Sequence, residues 1–409
     1  MFRPWVKPLH FIIKTCISKI ANFKNPYFKG FFGNSFKCTF TVLKNYYMKS
    51  LLTILFISLC TISLATVRTV SNTPSTIAQF NTIQLAVNAS SAGDTVYVHG
   101  SPNIYAGFTI TNKQLVIIGP GWSPDKNLPF TALVSGCSII GATSSNTEIQ
   151  GLTFISTLNL ASFHPDNIRF IRNNFGGVDV NINEGSTTYA GYLFEGNLFD
   201  NGSANASAGS TYQNFLFQNN YFYENGMVRD GNFNGFFNSI NVLFNHNLWY
   251  VPSSSTRNVA IGGNNRFLTF ANNIFVRRNA SSNISSSVYN NNITFYPVGS
   301  SNPGAPWGLN GNVDGGGNID NQDPQMVAQS AVNAGTNGSN QDFTIAAGPA
   351  NNTGSDGKDI GLLYDVTGSL NFANSRNSRL PRIFSMNITT PTVAAGGNVT
   401  ISVEARISN

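Results

Sequence analysis

The sequence predicts an all-β fold, a parallel β-helix closed at its start by a short helix and at its end by a small β cap. Three observations predict it. A motif of the form Phe-x-x-Asn-x-(aromatic or aliphatic) recurs six times, and its Asn returns after 24, 23, 27, 26 and 18 residues. The copies are Phe170/Asn173/Phe175, Phe194/Asn197/Phe199, Phe217/Asn220/Phe222, Phe244/Asn247/Trp249, Phe270/Asn273/Phe275 and the degenerate Val288/Asn291/Ile293. A period of 20–30 residues with one apolar pair and one polar turn residue per unit marks a stacked solenoid. Finally, no run of 11–18 residues in these copies carries apolar residues at i, i+3, i+4 and i+7, so helical repeats do not fit.

Each element of the repeat has a physical reason. Counting the Asn as zero, positions −5 (Ile168, Tyr192, Phe215, Val242, Leu268) and −3 are apolar and share one face of an extended strand. The Asn marks a sharp bend, and the residue at +2 points inward from the next strand. Stacked rungs about 4.8 Å apart bring Asn over Asn and ring over ring. Asn173, Asn197, Asn220, Asn247, Asn273 and Asn291 are therefore expected to form a structural amide ladder.

The chain carries a formal net charge of +6, which its first segment dominates. All eight charged residues before Met48 are basic, from Arg3 to Lys44. Met48-Lys49-Ser50, the apolar run Leu51–Leu59 and the small-residue exit Ser63-Leu64-Ala65 read as a secretory signal peptide over 48–65. Its apolar core is shorter than the roughly 20 residues of a membrane span. Residues 1–47 are either an upstream extension of a chain starting at Met48 or a long basic leader. Beyond Ala65 there are 15 basic and 18 acidic residues, a net of −3, so nucleic-acid binding loses its main support. Three of the four cysteines (Cys16, Cys38, Cys60) lie in the leader region, leaving Cys137 without a disulfide partner. Cys60 as a lipid anchor competes with cleavage after Ala65.

Along the rest of the chain, Thr66–Ser75 reads as an irregular start. Phe80, Ile83, Ala86 and Val87 fall at helical spacing and predict a helix that covers the open end of the coil. Early rungs follow at Leu115–Gly119, Ser138–Gly141 and Ile149–Phe154, with Gly expected where Asn later stands. The solenoid with its closing segment is expected over 77–365. Past Phe295 the composition shifts to Gly, Pro, Asn and Asp. Residues 380–409, with strands flanking Gly396-Gly397, predict a C-terminal strand pair docked as a cap.

Several of these stretches resemble a known family. Ile83-Gln84-x-Ala86-Val87, Ala92-Gly93-Asp94-Thr95-Val96-Tyr97-Val98, Tyr105 and Leu115–Gly119 resemble the opening of secreted right-handed parallel β-helix proteins of the pectate-lyase-like superfamily, in the version common in Bacteroidetes. Gly311-Asn312, Ile319-Asp320, Asp323-Pro324, Phe343-Thr344 and Gly354-x-Asp356-Gly357-x-Asp359-Ile360-Gly361 resemble that group's closing segment. Gly348-Pro349-Ala350 lacks the usual Ser, and Leu363-Tyr364-Asp365 stands where a Gly-Gly is usual. The resemblance implies a right-handed coil. It implies little about activity.

No catalytic set known on this fold is present. The polygalacturonase-type Asn-Thr-Asp, Asp-Asp, Gly-His-Gly and Arg-Ile-Lys motifs are absent. Calcium wants six to eight oxygen ligands, and no rung offers more than one or two acids, so no metal or cofactor is expected, with Ca2+ left open but without support in the sequence. Arg379-Leu380-Pro381-Arg382 matches an Arg-rich lyase motif only superficially. His164 and His246 are not at metal spacing, and hydrogen bonding in a turn accounts for His246.

Two groups of residues remain as ligand-binding candidates. Asp200, Tyr223 and Tyr250 each lie three residues past a ladder Asn and should stack in one outward column, where exposed Tyr beside a carboxylate suits sugar. The alternative is a strand edge covered by a loop. Asp179 and Asn181 alternate with Val178, Val180 and Ile182 and should face solvent, while Glu224, Arg229 and Asp230 occupy a following loop. A carboxylate pair with an Arg can do acid/base work or bind an anionic sugar, or be a surface ion pair. Three functions follow in order: a secreted or surface monomer that binds polysaccharide, a polysaccharide lyase or glycoside hydrolase with a non-standard site, and a structural envelope protein.

Overall fold

A computed structural model of the chain describes residues 65–407 except 75, 123–129, 161–163, 183–186, 208, 225–232, 253–264, 278–283, 337–340, 366–369, 373–380 and 389–395. The basic leader, the apolar run before Ala65, Cys60, Arg229, Asp230 and Arg379 lie outside the described residues.

The chain winds into a right-handed parallel β-helix of about eight turns. Three parallel sheets of twelve, eight and six strands form its walls. Each rung runs from the first sheet through a bend to the second, then to the third. One rung shows the pattern: Arg169–Ile171 in the first sheet, Asn174–Phe175 in the second and Asp179–Ile182 in the third. The next rung repeats it with Leu193–Glu195, Leu198–Asp200 and Ser203–Ala206. Phe170 registers with Phe194, Phe194 with Phe217, Phe217 with Phe244 and Phe244 with Phe270.

The core is two files of rings. Phe170, Phe194, Phe217, Phe244, Phe270 and Tyr289 stack with centroids 5.1, 4.6, 4.5, 5.0 and 4.8 Å apart. Phe175, Phe199, Phe222, Trp249 and Phe275 form the second file, at 4.8, 4.8, 3.9 and 6.0 Å. Both files are buried. Each stacked pair contributes about 0.5–1.5 kcal/mol beyond its buried area.

Between the files runs the amide ladder. Asn197 accepts at Oδ1 from the main-chain N–H (2.9 Å) and Nδ2 (3.3 Å) of Asn173. Its own Nδ2 donates to Asn220 Oδ1 (3.0 Å) and to the Phe170 carbonyl (2.9 Å). The pattern repeats through Asn220, Asn247 and Asn273. An amide has two donors and two strong acceptor sites, and all four are used.

The sixth ladder position is Asn292, not the expected Asn291. Asn273 N–H and Nδ2 both donate to Asn292 Oδ1, at 3.0 and 2.9 Å, and Asn292 passes the ladder on to Asn318. Tyr289 pairs with Phe270, so the repeat there reads Tyr289-x-x-Asn292 with Thr294 at +2. The polar Thr hid the register among three consecutive Asn residues. Asn291 instead takes the left-handed conformation (φ 51°) just before the ladder residue. Arg172, Asn219, His246 and Asn272 hold that position in other rungs, as does Gly196. In the early rungs Gly151 (φ 62°) fills this left-handed position, and Leu152 stands at the ladder site, its N–H donating to Asn173 Oδ1 at 3.1 Å. Gly therefore replaces the bend residue rather than the Asn. Ser138 lies in the third sheet, away from the ladder.

The ends differ from expectation in detail. Val67–Val70, expected to be irregular, is the first strand and pairs with Thr95–Val98. Helix α1 (Ile83–Ala89) is capped by the Thr82 hydroxyl and buries Ile83, Ala86 and Val87. Phe80 precedes it, bridging to Val70. At the other end Pro381–Ile388 and Ile401–Ile407 form an antiparallel pair, so the first strand lies earlier than the expected one beside Gly396.

Between them the closing segment folds back along the coil. Met326, Val332, Phe343, Ile345, Ala350, Ile360, Leu362 and Phe372 pack on Leu198, Tyr221, Leu248, Ile274 and Ile293, the outward row of the second sheet. The bend residues hold it there. Leu363 N–H donates to Asn219 Oδ1 at 2.7 Å, and Ser355 N–H donates to Asn272 Oδ1 at 2.8 Å. His246 Nε2 lies 3.1 Å from Asp356 Oδ2, and Asn291 Nδ2 donates to the Thr353 carbonyl at 3.0 Å. The stretch resembling a family closing motif is thus a strap gripped rung by rung.

Candidate functional site

The third sheet presents a different outer surface from the second. Five of its six strands, Phe108–Thr111, Cys137–Ile140, Leu158–Asn159, Asp179–Ile182 and Ser203–Ala206, turn alternate residues inward, save that Ser203 is buried beside Ala204. Phe108, Ile110, Cys137, Ile139, Leu158, Val180, Ile182 and Ala204 are buried. Side chains alternate across a strand, so the residues between them face out. Thr109, Ser138, Asn159, Asn181 and Asn205 stand in register on five successive rungs and are half-buried, and Asn234 continues the register on a sixth.

The amides of this outer row are linked. Asn181 Nδ2 donates to Asn159 Oδ1 at 3.0 Å, and Asn205 Nδ2 donates to Asn181 Oδ1 at 3.4 Å. These contacts fix the amide planes along the coil. Within this chain of amides Asn181 uses one N–H and one lone pair, which leaves a second donor and a second acceptor site. Asp179 lies two residues earlier on the same face, paired in register with Ser203. Ser203 Oγ is 2.5 Å from Asp179 Oδ1 and 3.1 Å from Asn205 Oδ1. Its one proton goes to the stronger acceptor, the carboxylate. At the start of the row the Gln84 side chain clamps Thr109, accepting from its N–H at 2.7 Å and donating to its carbonyl at 3.2 Å. Helix α1 therefore anchors the first rung of the row as well as closing the coil.

The column of Asp200, Tyr223 and Tyr250 exists in register. It is not the exposed platform expected. Tyr223 and Tyr250 are 2% and 0% exposed, and the Tyr250 hydroxyl donates to the Thr336 carbonyl at 3.1 Å. The closing segment lies over this edge of the second sheet. Burial raises the pKa of both phenols, and also that of the half-buried Asp200 carboxyl, which accepts from Asn201 Nδ2 at 2.8 Å. Glu224, expected on an open loop, is 2% exposed, its N–H donating to the Tyr250 carbonyl at 3.2 Å.

Arg277 belongs to the same edge and was not singled out by its motif. Its guanidinium donates to the carbonyls of Val332 (2.9 Å) and Asn333 (2.6 Å), in the last turn of helix α2 (Gln329–Ala334). A cation at a helix C-terminus is favoured by the dipole. Among the described residues no group of three His, Cys, Asp or Glu could hold a metal ion, and no helix is long and apolar enough to cross a membrane. Cys137 is buried and free, its thiol pKa pushed up by burial.

No protein-family model and no curated protein matches this sequence. The fold and the site geometry therefore carry the functional reading.

Proposed function

We propose that the chain is a secreted or cell-surface β-helix protein that binds polysaccharide along the outer row of its third sheet. The observation that supports this most is the row Thr109, Ser138, Asn159, Asn181 and Asn205, five polar side chains at one repeat on an outward face. Amides and hydroxyls match sugar hydroxyls, which both donate and accept. The signal-peptide pattern over 48–65 supports secretion, which would bring such a surface to polysaccharide. Kinship with the Bacteroidetes-type pectate-lyase-like proteins is part of the same reading, supported by the motifs at Ala92–Val98 and Gly354–Gly361.

The test is retention of the full chain on a polysaccharide panel, beside a triple variant Asn159→Ala, Asn181→Ala and Asn205→Ala. Retention by the parent and its loss in the variant, with the urea midpoint held, supports the reading. Equal retention by both removes the third sheet from it. Release of unsaturated or reducing ends during the same incubation moves the function to a lyase or hydrolase.

A further inference from the structure

Resting on that reading, we infer that the bound polysaccharide carries acidic units, and that one of them is held outside the amide row, at an exposed corner made by Phe237, Arg266 and Phe267. The corner joins the third sheet to the first. Asn234 continues the register of the amide row, and Phe237 follows it just before the first-sheet strand Asn238–Asn245.

Backbone strain marks the place. Two residues before each of the outward positions Arg169, Leu193, Leu216, Leu243, Thr269 and Val288 the chain turns through a positive φ. Asn167, Gly191, Asn214, Asn241 and Ser286 make that turn in their rungs, where small residues meet its steric demand best. Phe267 is the exception, at φ 58° and 54% exposed, with Ile240 in the rung before it at 57%. Nothing in the fold calls for a ring there, since the neighbouring rungs turn without one. A bulky side chain held at positive φ and turned to solvent suits a contact with something outside the chain.

Charge names the partner. The Arg266 guanidinium lies over the Phe237 ring, its Cζ 4.1 Å from the centroid, and it makes no ion pair among the described residues. No Asp or Glu occurs from Gly231 to Val313, a stretch that carries Arg257, Arg266, Arg277 and Arg278. Arg277 is bound to the end of helix α2, and Arg257 and Arg278 lie outside the described residues. Arg266 is thus an exposed cation whose planar fork of N–H donors fits a carboxylate or a sulfate ester with two bonds at once. Beside it the Phe267 ring offers a face to the C–H side of a pyranose. Asn214 and Asn241, exposed and joined by a 2.8 Å bond from Asn241 Nδ2 to Asn214 Oδ1, offer amides to its hydroxyls. An anionic sugar unit uses all three groups. A neutral one leaves the guanidinium without a partner.

The experiment measures the affinity of the full chain for three oligosaccharide series of matched length, neutral, uronate and sulfated, each at low and high salt. An acidic series should bind more tightly than the neutral one and weaken as salt rises, and the tighter of the two identifies the acidic group. Arg266→Gln should lower that affinity about 10-fold and remove most of its salt dependence. Phe267→Asn, the residue of neighbouring rungs, should lower it about 5-fold while the urea midpoint holds or rises, because the strain leaves with the ring. A purely structural ring predicts the reverse, a lower midpoint with binding unchanged, and that result overturns the corner. So does parent-like affinity in both variants while the triple variant Asn159→Ala, Asn181→Ala and Asn205→Ala loses retention, which leaves the third-sheet reading intact. Equal affinity for the neutral series, insensitive to salt, overturns the acidic ligand. Retention of no polymer at all sinks the binding reading on which the corner rests.

Discussion

Removing the Asn220 side chain tests the physical core of the fold. Asn220 Oδ1 accepts from Asn197 N–H (2.9 Å) and Nδ2 (3.0 Å), and its Nδ2 donates to Asn247 Oδ1 (3.0 Å) and the Phe194 carbonyl (2.9 Å). Asn220→Ala deletes all four bonds. Asn247 Oδ1 keeps the Asn220 main-chain donor, and Asn197 Nδ2 keeps Phe170. The Asn197 N–H and the Phe194 carbonyl lose their amide partner at a fully buried site. The Phe194 carbonyl keeps its place in the strand ladder, but the Asn197 N–H is left buried without a partner, so with the lost amide bonds the expected loss is about 2–4 kcal/mol. That is a large part of a typical 5–15 kcal/mol stability. With a urea slope of about 3 kcal/mol/M or more, the midpoint falls by roughly 1 M. Hydrogen exchange should loosen first at Asn197 and its neighbours, because stability in a solenoid is close to a nearest-neighbour sum. Asn292→Ala should behave in the same way. Asn291→Ala, which removes one exposed contact to the Thr353 carbonyl and puts Ala at a left-handed φ of 51°, should cost only about 1–2 kcal/mol. Equal effects at Asn291 and Asn292, or a loss below about 1 kcal/mol at Asn220, would refute the ladder argument.

Two further predictions concern the strap. Burial holds the His246 pKa below its ordinary 6.5, outweighing the Asp356 carboxylate that pulls it up. The unfolded chain then takes up the proton first, so stability should fall as pH drops through about 6.5 and level off below the folded pKa. The Asp356 pKa is also held low: burial raises it, but the His246 pairing and the Lys358 and Asp356 main-chain N–H groups together outweigh that, and the contribution disappears only as pH falls below 3.8 through its folded value. His246→Asn, the residue found at this bend in neighbouring rungs, should reduce the slope near pH 6.5 in thermal melts from pH 5.5 to 7.5, leaving the part due to His99, whose pKa burial also lowers. Arg277→Met removes charge-assisted bonds to the end of helix α2 and should cost about 2–3 kcal/mol. The loss should register as faster exchange at residues 329–336 with the first-sheet strands unchanged; uniform loosening would count against it.

The rung was legible because its period is imposed by local geometry. Phe at −3, Asn at zero and an aromatic at +2 are what a stacked bend requires, so repetition alone revealed the coil and five of the ladder amides. The same pattern placed Asp179 and Asn181 on an outward face, since strand alternation has period 2. It failed at Asn291, where Thr294 broke the apolar marker and three Asn residues offered competing registers. It also left the bend residues unread, although Arg172, Gly196, Asn219, His246 and Asn272 share the turn-forming character that a positive φ favours.

What periodicity cannot encode is which outward face is then covered. Tyr223 and Tyr250 sit in the register the repeat assigns them, and a segment about 100 residues downstream in the chain buries them. That segment has no period of its own, and its hold on Asn219 and Asn272 spans 144 and 83 residues of sequence. The sequence by itself therefore determined the coil, its inner files and the direction each side chain faces relative to the wall. Tertiary structure alone decided which wall is closed by the strap and which keeps a half-exposed row of amides, because burial of an outward face depends on contacts between segments remote in the chain.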